Sequence, residues 1–308
     1  MTKRIPILTK KQVVASFPKR PRDSHKGMFG TVAVIGGASG MVGAPLLAAR
    51  AALKLGAGCV HVGLLAGNAP AVDSLQPELM LHSARDALSA INKHPLPQSL
   101  PRGEREVKPF SHRGKGWEGG DVLAIGCGMG HDMAAQKLLY DALHSDGVLV
   151  LDAGALGILA VRPDLRALLL TRKNAAVLTP HPGEAARLLD CEIKEVQENR
   201  VAAVQQLAHK FGCSVVLKGA DSLCATRDGR LFVNRTGNPG MSSAGMGDVL
   251  TGMIAAFIAQ GMLADDALLL AVHLHGAAGD ALADQHATIG MSATEVTEWA
   301  RWLLNQWI

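Results

Sequence analysis

Short apolar runs alternate with Ala- and Leu-rich segments of helical length along most of this chain, and this alternation limits the folds open to it. The runs that predict parallel strands are Thr31–Ile35, Cys59–Leu65, Asp121–Ile125, Val148–Leu151, Ala175–Leu178 and Ser214–Leu217. The segments that most clearly predict helices are Pro45–Leu55, Val249–Gln260, Asp265–Leu282 and Ala293–Gln306. Each strand is compact and apolar, as strands buried on both faces of a sheet are. The sequence therefore predicts an α/β fold around a mostly parallel sheet.

Two departures from the alternation have different meanings. The runs Leu223–Thr226 and Leu231–Asn234 flank an Asp-Gly pair, which predicts a hairpin. Residues 93–120 contain four Pro and five Gly without apolar periodicity, which predicts an exposed loop or insertion. No new composition begins after this segment, so we expect one domain over residues 1–308.

Charge and composition exclude several classes of function. The 31 basic and 27 acidic residues leave a net charge of only +4, and the aromatics are 6 Phe, 4 Trp and 1 Tyr, so we expect no nucleic-acid partner. No apolar run approaches the ~18 residues of a membrane span, so we expect no membrane partner. The five cysteines are scattered and odd in number, which is typical of a reduced cytoplasmic protein.

Glycine-rich segments follow two of the predicted strands. Residues 36–43 (GGASGMVG) precede a predicted helix and could hold a phosphate at its N-terminus. The next strand carries no acid for an adenosine ribose, the nearest being Asp73, which disfavours a dinucleotide-binding dehydrogenase. Residues 126–130 (GCGMG) fit either close approach to a ligand or a tight turn.

A third glycine-rich segment gives the clearest chemical signal. Residues 238–252 (NPGMSSAGMGDVLTG) lead directly into a predicted apolar helix. The amides from Gly245 to Asp248 would point outward at the positive end of that helix, where they would stabilise a phosphate in transfer. Asp248 could simply cap the helix, but a carboxylate beside phosphates could also take the proton of an attacking hydroxyl.

Charged residues follow three further strands at the edge where open α/β sheets bind their ligands. These residues are Asp152, the pair His181 and Glu184, and Lys218. Each has an ordinary explanation as a cap, a helix-dipole partner or a surface charge. Their placement at one sheet edge favours a shared site.

At this point the motifs resemble a known family, the ADP/ATP-dependent NAD(P)H-hydrate dehydratases. The residues that carry the resemblance are His25-Lys26-Gly27, Gly30, Gly43-Ala44-Pro45, 48–53, Leu151-Asp152-Ala153, 179–184, Leu217-Lys218-Gly219 and 237–252. The resemblance runs from about residue 5 to the C-terminus, apart from 93–120. It implies a ribokinase-like fold, a three-layer α/β/α sandwich. It also implies a hydro-lyase that uses ADP or ATP, with Mg²⁺, to restore hydrated NADH or NADPH.

The same resemblance implies roles for individual residues. Asp248 would be the catalytic base. The hydrated dinucleotide would contact Ala44, Gly128, His181 and Asp248, and the ADP or AMP moiety would contact Lys218, Gly219, Ala220, Asp221, Ser222 and Gly247. No metal ligand is assigned. The family also implies a homo-oligomer, tetrameric in many relatives. Many relatives carry an epimerase domain fused before this one, but this chain starts close to His25-Lys26-Gly27, so we expect a stand-alone dehydratase domain that works with a separate epimerase.

Three positions depart from the family pattern. Met246 stands where a small or hydroxyl residue is usual, and Cys127 and Met129 replace the commoner Pro and Leu. Two alternatives stay open: a small-molecule kinase of the same fold, such as one acting on thiamine precursors, and a non-catalytic nucleotide-binding regulator.

Overall fold

The computed structural model describes residues 5–91, 120–286 and 288–308, so the segment 93–120 lies outside the described residues except for Gly120. Its strands are β1 Thr31–Gly36, β2 Cys59–Leu64, β3 Met80–Ser83, β4 Asp121–Ile125, β5 Val148–Leu151, β6 Ala176–Leu178, β7 Ser214–Leu217, β8 Ser222–Ala225 and β9 Leu231–Asn234. They form one sheet in the order β3-β2-β1-β4-β5-β6-β7-β8-β9. The pairings from β3 to β7 are parallel, and β8 and β9 add an antiparallel hairpin. The predicted mostly parallel sheet and its hairpin are confirmed.

Helices cover both faces of this sheet. They are α1 Lys10–Val14, α2 Gly43–Lys54, α3 Ala84–Ile91, α4 Met133–Leu143, α5 Ala153–Val161, α6 Pro163–Thr171, α7 Pro182–Leu189, α8 Ile193–Glu198, α9 Arg200–Phe211, α10 Met246–Ala259, α11 Ala264–Gln285 and α12 Ala293–Trp307. None of the helices described is both long and apolar enough to span a bilayer.

Alternate residues of each strand enter two separate cores. Val32 and Val34 of β1 pack with α2, α10 and α11, whereas Ala33 and Ile35 pack with α3, α4 and α5 on the other face. Side chains alternate between the faces of a strand, so strands that are apolar at every position need helices on both sides. This arrangement is the three-layer α/β/α sandwich.

Two differences from the predicted elements have physical reasons. Strand β3 was missed because it is a short edge strand whose outer residues Met80 and Ser83 are exposed, and the apolar run that marks it is only three residues long, Leu79–Leu81. Helix α10 begins at Met246 and not at Val249, because Gly245 adopts φ +88° and caps it. Asp248 is therefore a first-turn residue and not the cap.

Candidate active site

The charged side chains singled out in the sequence follow neighbouring strands. Parallel strands end at the same edge of a sheet, so the loops after β1, β4, β5, β6 and β7 lie side by side there. Asp152 follows β5, His181 lies just beyond β6, and Lys218 follows β7. The first turn of α10 reaches the same edge from the helical layer.

Ala44 and Gly128 contact each other across the loops after β1 and β4. A side-chain carbon built on Gly128 would lie 2.9 Å from Cβ of Met41 and 3.2 Å from Cβ of Ala44. Gly128 also has φ +59°, and its carbonyl accepts a hydrogen bond from the amide of Ala38 at 2.7 Å. Only glycine both adopts this positive φ readily and leaves room for Met41 and Ala44. The two loops therefore form one surface of small residues.

The first turn of α10 lies against Lys218. A side-chain carbon built on Gly247 would lie 3.3 Å from Lys218 Nζ and 3.8 Å from Asp152 Oδ2. Backbone amides in the first turn of a helix have no partner within the helix. An ammonium group therefore stands beside the positive end of this helix, and together they suit an anion.

Lys218 is held by buried acids and is not a surface charge. Its Nζ lies 2.9 Å from Asp152 Oδ1 and 3.9 Å from Glu184 Oε2. Thr251 donates to the other Asp152 oxygen at 2.9 Å. Burial works to lower the pKa of Lys218, but Asp152 and Glu184 outweigh it and raise the pKa, so the lysine stays charged.

Asp248 has an unusual proton affinity for an aspartate. Burial, with a smaller contribution from the charge of Asp152, raises its pKa from 3.8 to about 6, while a hydrogen bond from Cys127 and the charge of Lys218 lower it. A carboxylate with a pKa near neutrality is ionised at physiological pH yet still accepts a proton readily. The environment of Asp248 therefore suits a general base.

His181 and Glu184 form the N-terminal cap of α7. The Glu184 carboxylate accepts from the His181 amide at 2.9 Å, and His181 Nδ1 accepts from the Gly183 amide at 3.0 Å. The His181 side chain is half-exposed, while Glu184 is buried and faces Lys218. His181 is thus joined to the Asp248 region through Glu184 and Lys218.

The turn from Gly219 to Ser222 is shaped by a residue that sequence reasoning missed. Arg200 donates to the carbonyls of Ala220 at 2.8 Å and Leu217 at 3.2 Å. Ser222 closes the turn by donating to the carbonyl of Gly219, and Asp221 has φ +50°. Nothing in the sequence around Arg200 marks it, because it acts across the gap between α9 and β7.

A second missed residue anchors the loop before α10. The Asp280 carboxylate accepts from the Gly237 amide at 2.8 Å and from the Asn238 side chain at 3.1 Å. Asp280 lies on α11, more than 40 residues away, so only the folded chain shows this contact. Asp73, excluded above as a ribose ligand, instead pairs with Arg50 at 2.7 Å.

One cluster of possible metal ligands lies here among the described residues. Cys127, Asp152 and Asp248 each offer an atom within 4.8 Å of the others. Mg²⁺ prefers six oxygen ligands, whereas this set contains a thiol and already neutralises Lys218. The cluster therefore does not fit a resident Mg²⁺ ion.

Comparison with known proteins identifies the family of this chain. The family model described as NAD(P)H-hydrate dehydratase matches residues 32–301. The ADP-dependent (S)-NAD(P)H-hydrate dehydratase of Neisseria meningitidis is 41% identical over 94% of this chain and 90% of its own length. The bifunctional NAD(P)H-hydrate repair enzyme of Coxiella burnetii is 36% identical, and this chain spans 55% of that relative's length.

Solved structures agree with the sequence comparisons. The Bacillus subtilis ADP/ATP-dependent NAD(P)H-hydrate dehydratase, co-crystallised with ATP and Mg²⁺, superposes with a TM-score of 0.79 over all of both chains at 27% identity. The predicted ribokinase-like fold and family resemblance are both confirmed. With most of its length matched by the family model, the chain belongs to the NAD(P)H-hydrate dehydratase family.

Proposed function

We propose that this protein uses ADP or ATP to dehydrate hydrated NADH or NADPH, which restores the reduced dinucleotide. The observation that carries the proposal is the placement of Asp248, with its pKa near 6, in the same helical turn as Gly247, which lies beside Lys218. This arrangement joins a base to an anion site. Family membership supplies the substrate class.

The reaction then divides into two steps. Asp248 takes the proton of the ring hydroxyl as the hydroxyl oxygen bonds to the terminal phosphorus of ADP, and the bond from that phosphorus to AMP breaks. The phosphate next leaves the ring with its C–O electron pair, and loss of a ring proton restores the double bond. Lys218 and the first-turn amides of α10 stabilise the negative charge that moves between the phosphate oxygens.

Binding surfaces for both substrates are available around Asp248. The small residues Ala44 and Gly128, with His181 and Asp248, would receive the hydrated dinucleotide. Lys218, Gly219, Ala220, Asp221, Ser222 and Gly247 would receive the nucleotide. Mg²⁺ is expected to enter on the phosphate oxygens of ADP or ATP, where it would neutralise charge.

The setting of the enzyme is also a prediction. All five cysteines are free thiols, which supports a reducing, cytoplasmic location. Bifunctional relatives support cooperation with a separate epimerase. The homotetramer stays a prediction from the family resemblance.

The decisive experiment follows the return of dihydronicotinamide absorbance when hydrated NADPH is incubated with protein and either ADP or ATP. We expect recovery, and Asp248→Asn is expected to slow it by ~10²–10⁴-fold, as the loss of a general base does. Asp141→Asn removes an aspartate of α4 that pairs with Lys137, and should leave the rate unchanged.

Each alternative function has its own outcome. Phosphorylation of a thiamine precursor without dinucleotide recovery would identify a kinase. Tight nucleotide binding without any turnover would identify a regulator. Recovery that persists within tenfold in Asp248→Asn would show that Asp248 is not the base.

A further inference from the structure

The proposed mechanism leaves one buried side chain beside Asp248 without a role, that of Cys127. Cys127 is completely buried, and its carbonyl accepts a hydrogen bond from the Gly37 amide at 3.0 Å. Any side chain at Gly36 would overlap that same carbonyl. The backbone of Cys127 is therefore fixed against the end of β1.

The thiol lies among the two carboxylates of the site. Cys127 Sγ and oxygens of Asp152 and Asp248 lie within 4.8 Å of one another. The Asp152 oxygens accept from Lys218 and Thr251. The Cys127 thiol lies beside Asp248 and acts to lower the pKa of that carboxyl. Asp152 thus accepts from an ammonium group and a hydroxyl, whereas Asp248 has a thiol, a weaker donor, beside it.

The Cys127 side chain keeps its proton at neutral pH and can therefore donate a hydrogen bond. Burial, and then the charges of Asp248 and Asp152, raise its pKa well above the usual value, so the thiol keeps its proton. A thiol is also a weaker hydrogen-bond donor than a hydroxyl. It can orient a carboxylate without strongly stabilising the charged form, which would weaken a base.

From this geometry we propose that Cys127 is a positioning residue, whose S–H group orients the Asp248 carboxylate for proton transfer. The proposal rests on the proposed function, because it concerns the base of that reaction. Cys127 is also one of the positions that depart from the family pattern. The proline that is commoner there has no hydrogen-bond donor, so the proposal predicts a consequence of this departure. The titratable groups around Asp248 and Cys127 are Asp152 and Lys218, with Glu184 and the His275 imidazole of α11 near Lys218. Burial and the charge of Lys218 lower the pKa of His275 to about 4, so this imidazole is neutral at physiological pH.

The first test compares pH profiles of kcat and KM for hydrated NADPH and ADP in Cys127→Ala and Cys127→Ser. Loss of the donor in Cys127→Ala should lower kcat about threefold to tenfold with little change in KM. It should also move the acidic limb of the profile to higher pH by about half a unit, because a hydrogen bond to the charged form lowers a pKa. Cys127→Ser should restore kcat and return the limb to, or below, its original midpoint.

Cys224→Ala is the matched control. Cys224 is also completely buried, but it lies on β8, and burial is the sole cause of its raised pKa. The control should lose thermal stability as Cys127→Ala does, without moving the pH limb. If Cys127→Ala and Cys127→Ser both keep the midpoint and kcat of Cys224→Ala, the proposal is overturned.

An infrared measurement of the intact protein separates this proposal from the proposed function. The S–H stretching band that disappears in Cys127→Ala should shift in Asp248→Asn, since the acceptor changes from a carboxylate to an amide. An unchanged band overturns the contact whatever the enzyme does. A shifted band in a protein that recovers no NADPH would support the contact and reject the proposed function.

Discussion

At the scale of single residues, the two acids of the site differ in their side-chain partners: Asp152 is paired, whereas Asp248 is partly unpaired. Asp152 accepts from Lys218 and Thr251 and is only 2% exposed. Asp248 has the Cys127 thiol beside it, and burial raises its pKa to about 6. Asp152 is therefore committed to structural hydrogen bonds, whereas the environment of Asp248 suits the proposed proton transfer.

The raised pKa of Asp248 predicts that the proposed base costs stability. Folding raises this pKa from 3.8 to about 6, so the stabilising contribution is present below about pH 4 and is lost as the pH rises through 6. At pH 8 the free energy of unfolding of Asp248→Asn should therefore exceed that of the parent by roughly 1–3 kcal/mol. Its unfolding temperature should be higher as well. Thermal unfolding from pH 4 to pH 8 measures this difference. A constant difference across that range would contradict it.

Whether a site residue could be predicted from the sequence depended on where that residue lies relative to the strands and helices. Asp152, Lys218 and Asp248 were found because each lies where a strand ends or a helix begins, and the structure brings them together. Arg200 and Asp280 were missed because each contacts its loop through the folded chain. Their neighbours in sequence contain no motif that could have marked them.

At the scale of elements, the packing of α2 against α10 places Asp248. Gly252 lies where a side-chain carbon would overlap the carbonyl of Ala48 on α2. The two helices therefore approach closely, and Gly252 lies one turn beyond Asp248. The apolar periodicity predicted both helices, whereas this distance between them depends on one glycine whose role only the folded structure shows.

Gly252→Ala should separate α2 from α10 and displace Asp248. We expect a loss of about 1–3 kcal/mol in the free energy of unfolding, because the new methyl group meets backbone that cannot move aside alone. The rate of NADPH recovery should fall with it. Denaturant unfolding and the recovery assay measure the two effects.

Gly43→Ala is the matched substitution for that prediction. Gly43 begins α2 and has no neighbour within 4 Å of a built side-chain carbon. Its replacement should be neutral, or stabilising by up to about 1 kcal/mol, because alanine favours a helix. Equal destabilisation by both substitutions would show that the close approach at Gly252 has no special importance.

At the scale of the whole molecule, the described residues on either side of 92–119 lie toward the end of the strands opposite to the site. The loops of the site follow the carboxyl ends of β1, β4, β5, β6 and β7. Gly120 precedes β4, where its amide donates to Ala259 and its carbonyl accepts from Thr31. Helix α3 starts at the site edge directly after β3 and runs back toward the other edge before the segment begins.

This separation predicts that the segment can be replaced without loss of catalysis. A chain with residues 93–118 exchanged for a six-residue Gly/Ser linker should keep NADPH recovery within about twofold, since short connections serve most adjacent elements. The same linker in place of residues 238–243, which include the anchored Asn238 and lead into α10, should abolish recovery. Loss of ADP-dependent recovery with unchanged thermal stability in the first variant would place the segment at the site.

Fold class and strand order differ in how far the sequence predicted them. The alternation of apolar runs and helices predicted the parallel sheet and its hairpin. The order β3-β2-β1-β4 could not be predicted in the same way, because β3 is short, polar and at the edge. Met80–Ser83 is a strand because it hydrogen-bonds to β2, and its hydrophobic periodicity does not predict this.

The position of α10 near the end of the chain has a consequence for how the protein is made. A nascent chain that has emerged only to residue 240 can pair β1 through β9 but lacks Asp248 and the helix that covers α2. Ala48 of α2, which lies against Gly252 of α10 in the finished protein, would then be uncovered. During translation the unfinished protein exposes apolar surface and lacks the proposed base, so chaperone binding should be strongest just before α10 leaves the ribosome.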